Sequence, residues 1–319
     1  MKIAILTSFA LVSVILFNVG AHFKRDVAMN VKDLPEHGLI LVTSADPSFS
    51  ELTANLYQES DNSMEALKPF SVLLKNMGNK TVIAYQLKWE LTQPDGRILT
   101  NTQGFTNLEK LRTINDTESP ELTDVTVDSS SGNVIKPGSV LFCSPAGTLD
   151  IDQAPAGGRS NLIIISMPQK TETVNEIGQV PQENPERKLS KFATQLSQLS
   201  SITVSLDGAL FDDGTFVGPD STKFFSWIMS KLNAKLDLLQ EVRSLKRDKS
   251  ESQAVEYLRT IANKPKLNIN NKSTPDDIYN FYKKRFAQQM VRVHSAVGFE
   301  AIEREISVLT KPPVKPRKL

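Results

Sequence analysis

The chain has 319 residues, with 37 Lys+Arg, 36 Asp+Glu, 3 His and 1 Cys. This length allows one large or two ordinary domains, and a lone cysteine, Cys143, excludes an intramolecular disulfide framework and a cysteine-rich structural zinc site. Residues 221–319 hold 20 Lys+Arg and 10 Asp+Glu, whereas residues 22–220 hold 16 and 26. We therefore expect that the two parts attract each other, that the basic part faces an anionic surface, or that its lysines only solvate helix faces.

The first 21 residues have the pattern of a secretory leader. Lys2 precedes an apolar run at 3–19, and small residues then allow cleavage after Ala21. We expect export, either to the periplasm or out of the cell. If the leader is not cleaved, residues 3–19 would form a single membrane anchor, since roughly 17 residues is near the lower limit for spanning a bilayer. Lys24 and Arg25, which follow the run, favour cleavage.

The next part of the chain is predicted to be rich in β-strands. Apolar and polar or small residues alternate clearly at 81–92, which places Trp89 on the apolar face and predicts that it packs between two sheets. Turn residues at 76–80 predict a β-hairpin with a preceding strand, and Pro94-Asp95-Gly96 predicts a turn into a following one. The other strands are predicted at 69–75, 97–105, 122–127, 139–143 and 161–167, and a loop at 168–185.

After that loop the pattern changes to a short helix and then returns to strands. The helix is predicted from apolar residues on one face, which are Leu189, Phe192, Ala193, Leu196 and Leu199. Strands follow at 201–211 and 215–217, joined by Asp212-Asp213-Gly214. Because a lone two-stranded ribbon is only marginally stable, we expect this late hairpin to join the sandwich. Residues 38–218 thus form the predicted antiparallel β-sandwich.

Residues 220–310 are predicted to be helical. An apolar stripe at 225–242 predicts the first helix, Ser250 caps the second, and Thr274-Pro275-Asp276-Asp277 begins the third, with Gly298 interrupting it. The basic, proline-rich tail at 311–319 is predicted to be disordered. The fold class expected from the sequence is therefore α+β, an Ig-like antiparallel β-sandwich followed by a C-terminal α-helical region.

Two stretches resemble known types of protein. NMGNKTVIAYQLKWELTQPDG (76–96) and IKPGS (135–139) look like the immunoglobulin-like or fibronectin-III-like sandwiches common in exported bacterial proteins. SLDGALFDDGTFVGPDSTKFF (205–225) is similar to a group of uncharacterised exported bacterial proteins. The resemblance implies a sandwich followed by helices, and it brings no activity, ligand or catalytic residue.

Four aspartates are weak candidates for a calcium site, because calcium is bound by clustered oxygen ligands. They are Asp207, Asp212, Asp213 and Asp220. Ala209 and Phe211 stand where an EF-hand loop would need Asp or Asn. The favoured interpretation is that the Asp-Gly pairs form turns and that Asp220 caps a helix.

The sequence contains no pattern for a catalytic triad, a transition-metal site or a phosphate loop, so we expect no catalytic residue, cofactor, nucleotide or nucleic acid. Lys283, Lys284 and Arg285 form a basic group on the third helix, and we expect them to contact an anionic surface. The aromatic residues beside them are expected to lie in the helical core.

These expectations lead to three functional hypotheses. The first is an exported, non-enzymatic envelope protein that acts as a binding or structural module, with an unknown protein or an anionic envelope surface as its partner. The alternatives are a carbohydrate-active or other hydrolase, with a carboxylate-lined cleft that includes Trp89 or Trp227, and a calcium-stabilised adhesion module.

Overall fold

The computed structural model describes residues 27–59, 66–111, 134–145, 147–150, 185–269, 273–310 and 313–319. It is a mixed α+β protein, with about 46% helix and 28% strand, so the coarse fold class is confirmed. Several predicted features lie outside the described residues. These are the leader at 1–21 with its alternative anchor at 3–19, the strands at 122–127 and 161–167, and nearly all of the loop at 168–185.

The described strands form two sheets. The first sheet contains β1 (Ala28–Lys32), β4 (Val82–Thr92), β5 (Ile98–Thr106), β8 (Ser201–Phe211), β9 (Thr215–Val217) and β10 (Arg317–Lys318). The second contains β2 (Leu39–Thr43), β3 (Val72–Asn76), β6 (Val140–Ser144) and β7 (Gly147–Asp150), in the order β2-β3-β6-β7, with every neighbouring pair antiparallel.

In the first sheet, β4 lies between β5 and β8 and is antiparallel to both. The other side of β8 pairs antiparallel with β9 near its end and parallel with β1 at its start. The predicted late hairpin is therefore confirmed as part of the main sheet. The parallel strand β1 was not predicted, because its five residues alternate between exposed and half-buried positions and carry little apolar signal.

The predicted hairpin between 69–75 and 81–92 is wrong, because β3 and β4 belong to different sheets. Asn76 holds the connection between them, since its Nδ2 donates to the carbonyl oxygens of Lys80 and Ile135 at 2.8 Å each. Its Oδ1 accepts from the backbone N–H of Gly78 at 3.0 Å. Apolar residues of both strands lie in the same core. In a tight hairpin, the two strands would instead be neighbours in one sheet.

One hydrophobic core is built by side chains from both sheets and from α2 (Pro185–Leu196), the predicted short helix. Trp89 is fully buried in it, as predicted, and its Nε1 donates to Gln103 Oε1 at 3.1 Å. Cys143 is also fully buried, and burial raises the pKa of its thiol. From α2 and its end, the core takes Ala193, Leu196 and Leu199.

The outer face of the second sheet is covered by α1 (Pro47–Glu59), a helix that was not predicted. Phe49 of α1 is fully buried and packs against Phe142, with 6.5 Å between ring centroids. Residues of β3 and β6 are therefore buried on both faces of the sheet.

Four helices follow β9, with the predicted starts and interruption. They are α3 (Phe224–Asp248), α4 (Glu251–Ala262), α5 (Pro275–Val297) and α6 (Phe299–Ser307). Ser250 caps α4, Thr274 and Asp277 form a capping box at α5, and Gly298 separates α5 from α6. The first turns of α3 pack on the first sheet through Phe224, Ile228 and Leu232, and the rest of α3 joins α4, α5 and α6 in a second core.

The prediction that the tail is disordered is corrected for residues 313–319. Arg317 and Lys318 pair in parallel with β9 and add a strand to the first sheet. Lys318 Nζ also lies 3.0 Å from Asp220 Oδ2. The tail is held by the edge of β9 and by Asp220. The composition of the tail itself indicates neither contact. Of the helices in the described ranges, none combines the length and the apolar character needed to cross a membrane.

Candidate functional site

The first candidate aspartate, Asp207, forms a joint between β8 and the start of α3. Its buried carboxylate accepts hydrogen bonds from the backbone N–H and the hydroxyl of Ser221 at 2.9 and 2.6 Å. Thr222 donates in the same two ways to the other oxygen. Burial alone would raise the pKa of Asp207, but these four donors outweigh it, and the pKa lies below its ordinary value. Asp207 thus holds the chain that leads into α3.

Close backbone contacts complete this joint, which we call the Asp207 joint. Gly218 has a φ of 112°, and a Cβ there would lie 2.8 Å from the carbonyl oxygen of Asp207. A Cβ on Gly208 would lie 2.5 Å from the ring of Phe216. Only glycine allows the two segments to approach so closely.

The remaining candidate aspartates have separate roles. Asp213 accepts from the backbone N–H of Thr215 at 2.9 Å and pairs with Lys80 at 2.6 Å. Asp220 accepts from the backbone N–H of Phe225 in the first turn of α3 at 2.9 Å, but the N-cap position is occupied by Lys223 and not by Asp220 as expected. Asp212 also has an interaction partner. Within the described ranges, no group of three or more His, Cys, Asp or Glu residues is placed to hold a metal ion.

The most distinctive concave feature is a groove of about 420 Å³ between α3 and α5, beside the end of β5. We call it the cationic groove. Aromatic, amide and cationic side chains line it together with one threonine, and these residues are Thr106, Trp227, Lys231, Tyr282, Arg285, Phe286, Gln288, Gln289 and Arg292.

Lys231 is the central cation of this groove. Its Nζ lies 5.5 Å from the centroid of the Trp227 ring and 5.3 Å from that of Tyr282, and it donates to Thr106 Oγ1 at 2.7 Å. Burial, with a further contribution from the positive charge of Arg285, lowers the pKa of Lys231 to about 8. The surroundings therefore stabilise the ammonium poorly, even though two aromatic faces attract it.

The cations of the groove form no ion pair within the described part of the chain, although Glu109 acts on Lys231 at longer range. No carboxylate in that part lies within 4.0 Å of the cationic groups of Lys231, Arg285 or Arg292. Arg285 and Arg292 are exposed and stand seven residues apart on α5, which corresponds to about 10 Å along a helix. The groove thus presents three positive charges toward one opening.

One turn further along α3, Lys235 has the opposite environment. Its Nζ lies 3.3 Å from Glu109 and 3.1 Å from Glu305. Burial alone would lower the pKa of Lys235, but the two carboxylates outweigh it, and the pKa lies above its ordinary value. The Lys235–Glu109 pair and the Lys318–Asp220 pair both join the basic part of the chain to the acidic part.

The three cations predicted to contact an anionic surface have different environments in the structure. Lys283 pairs with Glu241 at 2.7 Å, and Lys284 donates to the carbonyl oxygen of Lys264. Arg285 alone of the three lines the groove. Its neighbour Phe286 packs against the helical core, as expected of the aromatic residues there, and it also lines the groove together with Tyr282.

Sequence reasoning missed Lys231, Thr106 and Arg292. One signal was available, because Trp227 and Lys231 are four residues apart on a predicted helix and therefore share a face, as a cation–π pair requires. Nothing in the sequence indicated that Thr106, more than a hundred residues earlier, would meet them. The hydrolase hypothesis placed Trp89 or Trp227 among carboxylates, but Trp89 lies in the core and Trp227 lies among cations.

Three cations, three aromatic rings and two amides form a site that can bind an anionic group. The ammonium and guanidinium groups can donate to its oxygens, and the rings limit access of water.

No protein-family model, curated protein or solved structure matches this chain. The resemblance to exported bacterial sandwich proteins therefore stays a prediction.

Proposed function

We propose that this chain is an exported, non-enzymatic interaction protein that binds an anionic group of its partner in the cationic groove. The observation that carries the proposal is Lys231, a partly buried ammonium whose one hydrogen-bond acceptor is the neutral Thr106 hydroxyl. A partly buried charge without an ion-pair partner is costly, and a bound anion would reduce that cost.

The other groove residues support the same proposal. Arg285 and Arg292 can each form two parallel hydrogen bonds to a carboxylate or phosphate, which lysine cannot do. Trp227 and Tyr282 meet edge to face, with 5.2 Å between their centroids, and this contact fixes the wall behind Lys231. The chemistry of the groove is recognition of an anion by preorganised cations.

The surrounding fold is proposed to be a β-sandwich of Ig-like type, and the shared core of the two sheets supports this. Export, to the periplasm or out of the cell, is proposed from the leader pattern of residues 1–21. In this proposal the sandwich and the helices act as a scaffold, and the groove contacts the partner.

Tryptophan fluorescence gives a direct test, because the chain has two tryptophans and Trp89 is fully buried. Titration with inorganic phosphate at constant ionic strength should give a saturable change in Trp227 emission. The change should be absent in Lys231→Met, and it should also be absent in Trp227→Phe, which assigns the signal. Lys235→Met is the matched control, since it removes a lysine of the same helix whose charge is already neutralised.

Two results would overturn the proposal. One is the absence of a saturable response to phosphate and also to acetate. The other is a response of equal size in the wild-type protein and in Lys231→Met, because the anion would then bind elsewhere.

A further inference from the structure

The strand β5 forms an open edge of the first sheet. It is nine residues long, and among the described strands β4 is its one partner. The backbone groups on its far side can therefore pair with an added strand. Natural proteins protect such edges with charged residues, prolines or short strands, because an open edge attracts extended chains.

This edge lacks that protection. Its sequence, ILTNTQGFT, contains no charged residue and no proline. At its start, Ile98 is 60% exposed and Leu99 is 47% exposed, which makes them two of the most exposed large apolar residues described. An extended peptide added here would gain main-chain hydrogen bonds along the strand and would cover both side chains.

The other end of β5 leads into the cationic groove. Thr106, the last residue of the strand, lines the groove and accepts the hydrogen bond from Lys231 Nζ at 2.7 Å. A strand placed along the β5 edge would thus end beside Lys231, with Arg285 and Arg292 across the groove. Thr106 thus connects the uncharged strand edge to the cationic groove.

We propose that the edge and the groove together bind the C-terminal segment of a partner polypeptide. The segment lies as an extended strand parallel to β5, and its terminal carboxylate enters the groove and binds Lys231 and the two arginines. This inference rests on the proposed function of the groove. The direction follows from charge, because an antiparallel strand that ended at the groove would bring its terminal ammonium next to Lys231.

Residues 313–319 of this chain are not the occupant, because they are held elsewhere. Leu319 donates its backbone N–H to the carbonyl oxygen of Phe216 at 3.0 Å, and β10 lies at the opposite edge of the sheet from β5. The same residues of a second copy would be held in the same way.

The test begins with a library of random peptides displayed with free C-termini, from which the wild-type full-length protein selects binders. The selected peptides are then synthesised as the free acid and as the C-terminal amide, and their affinities are measured by fluorescence anisotropy. We expect enrichment of β-branched sequences and at least tenfold weaker binding of the amide. Lys231→Met should weaken binding of the acid to the level of the amide.

The double variant Ile98→Lys/Leu99→Lys tests the edge separately. These positions lie about 25 Å from Thr106 at the rise of a β-strand, so the added charges are screened from the groove. The variant should lose peptide binding while its Trp227 emission still responds to phosphate. A surface substitution on another element, Lys249→Ala, is the control that should leave both unchanged.

Several outcomes would overturn the inference. The inference is overturned if the library yields no enriched peptide, if the amide binds as well as the acid, or if the double variant keeps full peptide affinity. Sedimentation velocity tests a further outcome. If the wild-type protein is a dimer and the double variant is a monomer, the edge binds a second copy of the chain and not a different partner. In all of these cases a phosphate response at Trp227 would leave the proposed function standing, whereas the absence of a response to both phosphate and acetate would remove the proposed function by itself.

Discussion

The Asp207 joint and the cationic groove both place a charge where α3 meets the first sheet. The joint stabilises its charge, whereas the groove stabilises its charge poorly. Asp207 receives four hydrogen bonds from Ser221 and Thr222, and its pKa is lowered despite its burial. Lys231 has one neutral acceptor, and its pKa is lowered because its charged form is poorly stabilised. For an acid a lowered pKa indicates a satisfied charge, and for a base it indicates an unsatisfied one. The joint is therefore structural, and the groove can accept a ligand.

The largest effect on stability is expected from Asp207→Ala. The substitution leaves the donors of Ser221 and Thr222 without their acceptor, and hydrogen bonds to a charged group contribute strongly, so the free energy of unfolding should fall by about 3 kcal/mol. Urea unfolding of the purified protein measures this. Asp213→Ala is the matched control, because that carboxylate mainly pairs with the exposed Lys80, and it should cost about 1 kcal/mol or less. Equal losses in the two variants would contradict the structural role of Asp207.

The groove is expected to respond differently to the loss of its charge. Lys231→Met removes a cation that forms no ion pair in the described part of the chain and has Glu109 only at longer range, so the free energy of unfolding should stay the same or rise by about 1 kcal/mol. Phosphate binding should weaken at least tenfold. Lys235→Met should show the reverse, a small loss of stability with phosphate binding kept. A strong destabilisation by Lys231→Met would show that the lysine is structural, like Asp207.

The dependence on pH sharpens the comparison. In the folded protein the pKa of Lys231 is about 8, below the ordinary value of 10.5. Between these values the unfolded chain binds more protons than the folded chain, so the stability of the wild-type protein should rise with pH relative to Lys231→Met. Acetate, whose charge is constant above pH 6, should bind equally well at pH 6 and 7 and more weakly as pH rises through 8, because the ammonium loses its proton. Thermal unfolding and Trp227 emission at pH 6, 7, 8.5 and 10 measure both, and parallel stability profiles would contradict the buried, unpaired lysine.

The smallest effect is expected at the tail. Lys318 and Asp220 form an exposed pair, and such pairs contribute about 0.5 kcal/mol. Lys318→Ala should therefore change the urea midpoint only slightly and should leave phosphate binding unchanged. Amide hydrogen exchange of Arg317 and Leu319 reports the pairing directly. Rapid exchange of these amides would show that the tail is disordered, as its composition predicted.

Most elements of this fold could be predicted from the sequence because their signals are local. The alternation in β4, the Asp-Gly turn before β9 and the capping box at Thr274 each depend on residues within a few positions of one another. The errors lie where a distant partner decides. β3 pairs with β2 and β6 and not with β4, and α1 forms under a sheet face that the sequence did not show to be apolar on both sides.

The candidate site shows the same limit more strongly. Arg285 was predicted as an anion contact from its place in a basic run, and Trp227 was considered as a cleft residue. The difference between Lys231 and Lys235 could not be predicted, since both are lysines on one helix, one turn apart. Glu109 and Glu305, which neutralise Lys235, come from a short helical turn after β5 and from α6.

The sequence by itself determined most of the strands and helices, the caps at Ser250 and Thr274, the uneven charge and the leader pattern, because each depends on neighbouring residues or on composition. The tertiary structure decided which strands share a sheet, which lysine is neutralised and that Thr106 meets Lys231. The physical reason is that the free energy of a charge depends on all atoms within a few ångströms of it. Folding brings those atoms together from Thr106 of β5, Lys231 of α3 and Arg285 of α5, which are more than fifty residues apart along the chain.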